Sequence, residues 1–299
     1  MSNLEAYLKE KKELIDLALP LYLPPVDTYP GIIHEAMHYG VTAGGKRLRP
    51  ILALATAELV GFDDQKAIMP LLCSLEYIHT YSLIHDDLPA MDDDDFRRGK
   101  PSCHRVFGEG IAILAGDALL TYAFELLTSL AKPRGPFAEE LVLRMLVRIS
   151  SAIGTKGLIG GQVVDLESEN KKVDLVTLEF IHKNKTAALF KTAMVAGAIL
   201  GNGSKKQLAA IELYADAFGL AFQITDDILD VKGDFALLGK EVGSDEKKHK
   251  ATYPGLLGLE TAEKLVLKCI AEGKAALNIF GSKSERLGAL IEYIANRKV

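Results

Sequence analysis

Six aspartates fall within ten residues, directly after an apolar run. The stretch "YIHTYSLIHDDLPAMDDDD" carries Asp86, Asp87, Asp92, Asp93, Asp94 and Asp95. Two carboxylates about 5 Å apart repel by about 3 kcal/mol at an effective dielectric near 20, so a chain that folds with this segment needs counterions for it. On an unbroken helix Asp92 would point about 120° away from Asp86. Pro89 removes a backbone donor and disturbs the turn behind it. The expectation is a helix that deforms at Leu88–Met91, so that Asp86 and Asp92 converge on one metal ion. Arg97 and Arg98 follow at once. Carboxylates for a cation beside guanidiniums suited to bidentate phosphate contact form an arrangement for handling a diphosphate.

The pattern returns later in the chain, where "FGLAFQITDDILDVKGD" again runs an apolar helix into acid. Asp226 and Asp230 share a helical face, and Gln223 joins them three residues earlier. Polar groups stacked on a greasy helix are costly to bury unless compensated. A divalent cation with oxygen ligands compensates them, and Mg²⁺ usually pairs one or two carboxylates with substrate phosphates. Two such helices facing each other would bring both clusters to one mouth of a bundle. Either cluster alone reads as a solvated face, a helix cap or a charged loop; the two together, with basic runs nearby, argue for a site. Neither has the loop spacing or terminal Glu of an EF-hand. A histidine–aspartate phosphohydrolase would need more ligands than His34, His38 and His79 supply, and would leave the second cluster idle.

A third segment asks for an anion. "GVTAGGKRLRP", Gly40 to Pro50, nearly spells a nucleotide-binding loop, but Arg47 stands where a hydroxyl must hold magnesium. The preceding "GIIHEAMHYG" reads as a helix, not as the strand a P-loop requires. Lys46, Arg47 and Arg49 therefore point to a phosphate other than that of ATP.

Most of the remaining sequence has helical periodicity, as in "RPILALATAELVGF" and "AILAGDALLTYAFELLTSLA". Runs such as Val163–Val164 are too brief for a sheet. With 48% hydrophobic residues and no interdomain linker among 299 residues, the expectation is one all-α domain, a large bundle of roughly ten helices. A formal charge of −5 argues against nucleic acid as a main partner. The longest run free of Asp, Glu, Lys and Arg is Thr192–Ser204, 13 residues, short of the roughly 18–20 needed for a membrane span. The charged N-terminus lacks the apolar stretch of a signal peptide. Cys73, Cys103 and Cys269 are odd in number and without metal-ligand spacing, which suits a reducing cytoplasm.

The motifs taken together resemble a known family, the trans-isoprenyl diphosphate synthases, in particular those that make farnesyl diphosphate in bacteria. The resemblance runs from "GGKRLRP" through "IHTYSLIHDDLPAMDDDDFRRGKP", "GQVVDL", "NKTAALF" and "FQITDDILD" to "LGKEVGSDEKKHKATYP". It implies a single synthase domain over residues 1–299, an all-α isoprenoid-synthase bundle with a central apolar cavity. It also implies a homodimer, and Mg²⁺ dependence with three ions when substrate is bound. The reaction implied joins isopentenyl diphosphate to dimethylallyl and then geranyl diphosphate, releasing diphosphate.

By matching motifs, the resemblance assigns Gly45, Lys46, Arg49, His79 and Arg98 to the isopentenyl diphosphate. Arg97, Lys185, Thr186, Gln223, Lys240 and Lys250 would hold the allylic diphosphate. Asp86, Asp92 and Asp226 would carry metal, with Asp87 and Asp230 in support. The departing diphosphate would take up the proton lost in the last step. Tyr81 and Ser82 lie about 6–8 Å down the helix from Asp86. In the family an aromatic residue at the Tyr81 position, with two extra residues inside the first acidic motif, goes with a C15 product. A geranylgeranyl or geranyl synthase remains the near alternative and a class I terpene cyclase a distant one, since a cyclase normally lacks the second acidic motif and second diphosphate site. The terminal "ANRKV" offers Arg297 or Lys298 as a closing contact, and Glu241 after Lys240 departs from the family pattern without an evident reason.

Overall fold

The computed structural model describes residues 3–169, 171–232, 251–295 and 297. It is helical nearly throughout, with two compact units: Met1–Leu54 with Asp63–Leu146, and Ala55–Phe62 with Val147–Val299. There are more helices than periodicity alone suggests, because several are only five to seven residues long and too short to show a repeat.

The first unit contains α1 (Asn3–Ala18), α2 (Gly31–Val41), the start of α3 (Leu48–Leu59), α4 (Gln65–Asp86), α5 (Cys103–Phe107), α6 (Glu109–Thr128) and the start of α7 (Glu139–Ile153). Its axis is α4. Asp64 caps that helix, its Oδ1 accepting from the amides of Lys66 at 3.1 Å and Ala67 at 3.0 Å, which satisfies two of the orphan donors of a helix start. From Ile68 to Ile84 the helix is buried on almost every side, as expected of a segment apolar all round. Two of its polar side chains find carbonyl acceptors: Ser74 donates to that of Ala123 at 3.1 Å and Tyr77 to that of Leu19 at 2.7 Å. Two-residue strands β1 (Phe96–Arg97) and β2 (Lys100–Pro101) pair antiparallel after the aspartates. No sheet was expected, and this hairpin is the sole pairing of named strands among the described residues.

The second unit holds the rest of α3 and α7, then α8 (Leu158–Ser168), α9 (Leu175–Ile181), a π-helical turn (His182–Ala187), α10 (Ala188–Leu200), α11 (Lys205–Lys232), α12 (Tyr253–Leu257), α13 (Leu259–Ala276) and α14 (Glu285–Ala295). Val163 and Val164 lie inside α8, not in a strand. Helix α11 packs against α10, α13 and α14, and Ile224 on it joins Leu178, Tyr253, Ala262 and Val266 in a buried cluster.

Helices α4, α6 and α11 are long and apolar enough to cross a membrane by length and composition alone. The expectation of no span rested on runs wholly free of charge, whereas each of these helices keeps a long apolar stretch interrupted by few charged residues. In α4 and α11 the apolar window is 72% and 61% buried within the protein, against 33% in α6. Ile113 and Leu114 account for part of the apolar surface that α6 exposes.

Candidate active site

The expected site residues divide between the two units. In the first unit, the loop after α2 passes through Gly44 and Gly45 with φ of +94° and +131°, backbone that side-chain-bearing residues rarely adopt. A Cβ on Gly45 would also lie 2.7 Å from the Arg98 guanidinium carbon. Arg98 and Gly99 form the hairpin turn, both with positive φ (55° and 77°), as a two-residue type I′ turn demands. That left-handed position is unfavourable for arginine, and it sends the guanidinium to the Gly44 carbonyl, which accepts from Nη1. The "GGKRLR" and "RRG" segments thus meet.

His79 and Arg49 share this charged environment. Burial pushes the His79 imidazole well below its usual pKa, and Arg49, Arg98, Arg47 and Arg97 push it further in the same direction. Burial brings Arg49 down to about 10, against the pull of Glu76 and with Arg98 adding to the shift. Burial first and neighbouring guanidiniums second thus hold both groups below their usual values. Lys46 is exposed on the same loop.

Arg47 is different. It is 3% exposed and donates inward, from Nε to Asp16 at 2.8 Å, from Nη1 to Glu76 at 2.6 Å and from Nη2 to the Val41 carbonyl at 2.8 Å. Of the three basic residues read as asking for a phosphate, Arg47 already holds its anions.

The aspartate segment folds back on itself. Helix α4 stops at Asp86, before the Pro89 that the helix could not absorb. The Asp92 amide then donates to the Asp86 carbonyl at 2.8 Å, and the Asp93 amide to that of Leu88 at 3.1 Å. Asp86 and Asp92 thereby become neighbours, both half-buried. Asp87, expected as a metal ligand, is instead 2% exposed. Its Oδ1 accepts from Arg97 Nε at 2.9 Å and also from Nη2, while Asp94 takes a 3.2 Å bond from the same Nη2. Burial pushes the Asp87 carboxyl up and Arg97 opposes the shift. The guanidinium edge of Arg97 expected on a diphosphate is thus committed to Asp87 and Asp94. The physical reason is burial: a carboxylate this deep needs a fixed cation in the protein itself.

One turn and more below Asp86, Tyr81 is 5% exposed and its hydroxyl oxygen is buried without a hydrogen-bond partner. Ser82 turns its hydroxyl back to the His79 carbonyl at 2.9 Å, the local back-bonding usual for a serine within a helix.

In the second unit the π-helical turn carries His182, Lys185 and Thr186; such turns widen a helix locally and are frequent at functional sites. Lys185 Nζ donates to Asp165 Oδ2 at 2.7 Å, and Thr186 is half-buried. On α11, Gln223 was expected beside Asp226, but its amide nitrogen lies 2.8 Å from His182 Nδ1 and the residue is 8% exposed. Asp227 is 5% exposed. It accepts the Tyr253 amide at 2.8 Å and lies 3.4 Å from His182 Nε2, while the Tyr253 and His182 rings stack at 5.5 Å. Asp226 points outward, its side chain 61% exposed, and accepts from Arg297 Nη2 at 2.7 Å. Arg297 in turn covers the Phe222 ring at 4.0 Å. Asp230 is half-buried. Lys240, Glu241, Lys250 and Lys298 lie outside the described residues.

His182, Asp165 and Tyr253 are the members that sequence reasoning missed. "GQVVDL" and "NKTAALF" flagged two of the neighbourhoods, but no local spacing tells that Asp165 answers Lys185 or that His182 answers Gln223.

Among the described residues no group of three or more His, Cys, Asp or Glu side chains is gathered to hold a metal unaided. What the loop offers is the Asp86–Asp92 pair, and α11 offers Asp226 and Asp230. These are oxygen donors only, in numbers too small for a Ca²⁺ cage and of the wrong chemistry for a structural Zn²⁺ site. They fit Mg²⁺, which is bound through one or two carboxylates with phosphate oxygens completing its shell.

Known proteins resemble this chain over nearly its whole length. The polyprenyl synthetase family model matches residues 30–281. A farnesyl diphosphate synthase of Geobacillus stearothermophilus is 43% identical, with 99% of this chain and 98% of that protein covered. A geranylgeranyl diphosphate synthase of Cyanophora paradoxa is 44% identical, covering 99% and 97%. The crystal structure of an FPP/GFPP synthase from Zymomonas mobilis superposes with a TM-score of 0.85 at 36% identity, covering 98% of this chain and 99% of that one. The chain therefore belongs to the polyprenyl synthetase family and is a prenyltransferase of isoprenoid diphosphate synthesis.

Proposed function

We propose that this prenyltransferase is a Mg²⁺-dependent farnesyl diphosphate synthase, a single synthase domain over residues 1–299 that elongates dimethylallyl and geranyl diphosphate with isopentenyl diphosphate. The observation that carries the C15 assignment is Tyr81, a buried aromatic side chain five residues before Asp86 whose hydroxyl has no protein partner. A ring there limits the length of an alkyl chain lying against the helix below the carboxylates. The geranylgeranyl name of a 44% identical relative keeps a C20 product as the second reading.

Magnesium, when bound, draws charge from the leaving diphosphate as a Lewis acid. Asp86 and Asp92 would hold it in the first unit, and Asp226 and Asp230 in the second. Lys185 and Thr186 would orient the allylic diphosphate, together with Gln223, Lys240 and Lys250. Lys185 must then exchange its Asp165 partner for a phosphate oxygen or be shared between them. Asp87 and Arg97 serve the same reaction as a pair, fixing the turn that returns Asp92 to Asp86. The isopentenyl diphosphate would be held by Lys46, Arg49, His79 and Arg98 on the Gly44–Gly45 turn. Fixed charges of this kind stabilise a growing anion without reorganisation. The departing diphosphate would accept the proton released after the carbon–carbon bond forms. A class I cyclase has no use for this second cationic set.

A second copy of the chain is the expected partner, supported by the apolar surface that α6 exposes at Ile113 and Leu114. A cytoplasmic location suits three free, buried thiols. Burial pushes Cys73 up to about 12 and both Cys103 and Cys269 up to about 11, which makes them inert core residues.

Purified protein given labelled isopentenyl diphosphate and each allylic primer should accumulate a C15 product. A C20 or C10 product would replace the farnesyl assignment, and no elongation would remove it. Tyr81→Ala should shift the product towards C20; an unchanged spectrum would mean that the ring is ordinary core packing.

A further inference from the structure

Tyr81 is not held by its own hydroxyl, so something else must keep its ring in place. The neighbour one turn up is His85, whose ring meets the Tyr81 ring edge-on, centroids 5.8 Å apart at 84°. Such a contact is worth about 0.5–1.5 kcal/mol beyond area burial. It restrains Tyr81 only if His85 is itself fixed, and α6 fixes it. His85 Nε2 lies 3.0 Å from the Ile113 carbonyl oxygen, which can accept a hydrogen bond from it, and 3.9 Å from Asp117 Oδ1. Between these two contacts on α6 sits Gly116. A Cβ there would overlap the Nε2, Cδ2 and Cε1 end of the imidazole, so the ring fills a notch that only glycine leaves open.

We propose that His85 is a specificity-determining residue: seated in the Gly116 notch of α6, it braces Tyr81 and so sets the length of the prenyl product. The proposal rests on the reading of Tyr81 as the length-limiting ring. It extends control of product length from one side chain to a stack of three residues on two helices. Its physical content is that the phenol ring resists displacement by a growing chain because an anchored imidazole stands behind it. Without that anchor the ring can tip towards α6 and admit a further isoprene unit.

The test is the ratio of C20 to C15 products from the full-length enzyme, normalised to total isopentenyl incorporation so that a slower enzyme does not imitate a less selective one. Gly116→Ala and His85→Ala remove the brace from opposite helices. Each should raise the ratio by about fivefold, the factor that corresponds to losing a ring contact of about 1 kcal/mol. His85→Phe, which keeps a ring in the Gly116 notch but loses the Nε2 contacts to α6, should give a ratio between those of wild type and His85→Ala, a graded response that a merely structural role would not require. If Tyr81→Ala lengthens products while Gly116→Ala and His85→Ala both leave the ratio unchanged, the brace is overturned and the Tyr81 reading stands. If Tyr81→Ala also leaves products unchanged, both fall.

Discussion

Each unit carries an adjacent pair of aspartates at the polar end of an apolar helix, and the two pairs are built alike up to a point. In both, the second residue is buried and the first is more open. Asp87 is 2% and Asp227 5% exposed, whereas the Asp226 side chain is 61% exposed and Asp86 is half-buried. Adjacent residues on a helix point about 100° apart, so one of two neighbours must turn inward. The inward carboxylates are answered differently. Asp87 is met by the Arg97 guanidinium, and Asp227 by the Tyr253 amide with His182 alongside. The outward ones differ too: Asp86 gains Asp92 by a backbone fold, whereas Asp226 sits on an unbroken helix with Arg297 as its counterion. A DD dipeptide is therefore not two equal ligands. One position faces outward and the other anchors the turn or helix that presents it.

The largest expected effect breaks the comparison at its outward members. Asp86→Asn and Asp226→Asn should each lower kcat by about 10²–10³-fold, the scale of losing one preorganised electrostatic contact in a transition state. Melting of the ligand-free protein should change little, and a variant with near-normal turnover would show its carboxylate to be dispensable.

The inward members should show the reverse pattern, loss of stability ahead of loss of chemistry. Asp87→Ala strands a guanidinium that is 25% exposed. After allowance for that exposure it should cost about 2–3 kcal/mol. Asp227→Ala strands one buried amide and should cost about 1–3 kcal/mol. Denaturant midpoints measure both, and equal stability to wild type would mean that these carboxylates are not anchors.

A smaller effect concerns pH. The folded-state pKa of His79 lies well below its ordinary value, so below about pH 6.5 the unfolded chain binds a proton that the folded chain does not. Stability from this group falls as pH drops through the unfolded pKa, by at most about 1.4 kcal/mol per pH unit, and levels off below the folded pKa. His79→Gln should flatten the stability profile between about pH 6.5 and 5. Profiles of equal slope would place His79 outside the cationic cluster. Smallest of all is Arg297→Ala. Its pair with a largely exposed carboxylate should contribute less than about 1 kcal/mol to stability. Losing a competing cation should strengthen Mg²⁺ binding to the substrate-free protein, and weaker binding would assign Arg297 a supporting role instead.

Much of this was legible in the chain itself. The apolar periods of α4 and α11 announced long buried helices, and Pro89 announced the break that folds Asp92 back to Asp86. The basic runs of "GGKRLR" and "RRG" stood out, and the structure joins them through Arg98 and the Gly44 carbonyl. What stayed hidden was set by contacts distant in sequence. Arg47 reads as one more phosphate ligand until Asp16 and Glu76 are seen beside it, 31 and 29 residues away. Gln223 reads as a companion of Asp226 until His182, 41 residues away, takes its amide nitrogen. Asp87 reads as a supporting ligand beside Asp86 because local spacing cannot say which of two neighbours faces the core. Gly116 looks like any helical glycine until the imidazole that fills its place appears.

The division of labour within the DD pairs is tested most directly by calorimetric titration of inorganic diphosphate into the protein with and without Mg²⁺. Wild type, Asp87→Asn and Asp227→Asn should bind diphosphate far more tightly with Mg²⁺ than without, while Asp86→Asn and Asp226→Asn should lose most of that Mg²⁺-dependent gain. Loss of the gain in the two buried-aspartate variants, with the outward variants unaffected, would contradict the account.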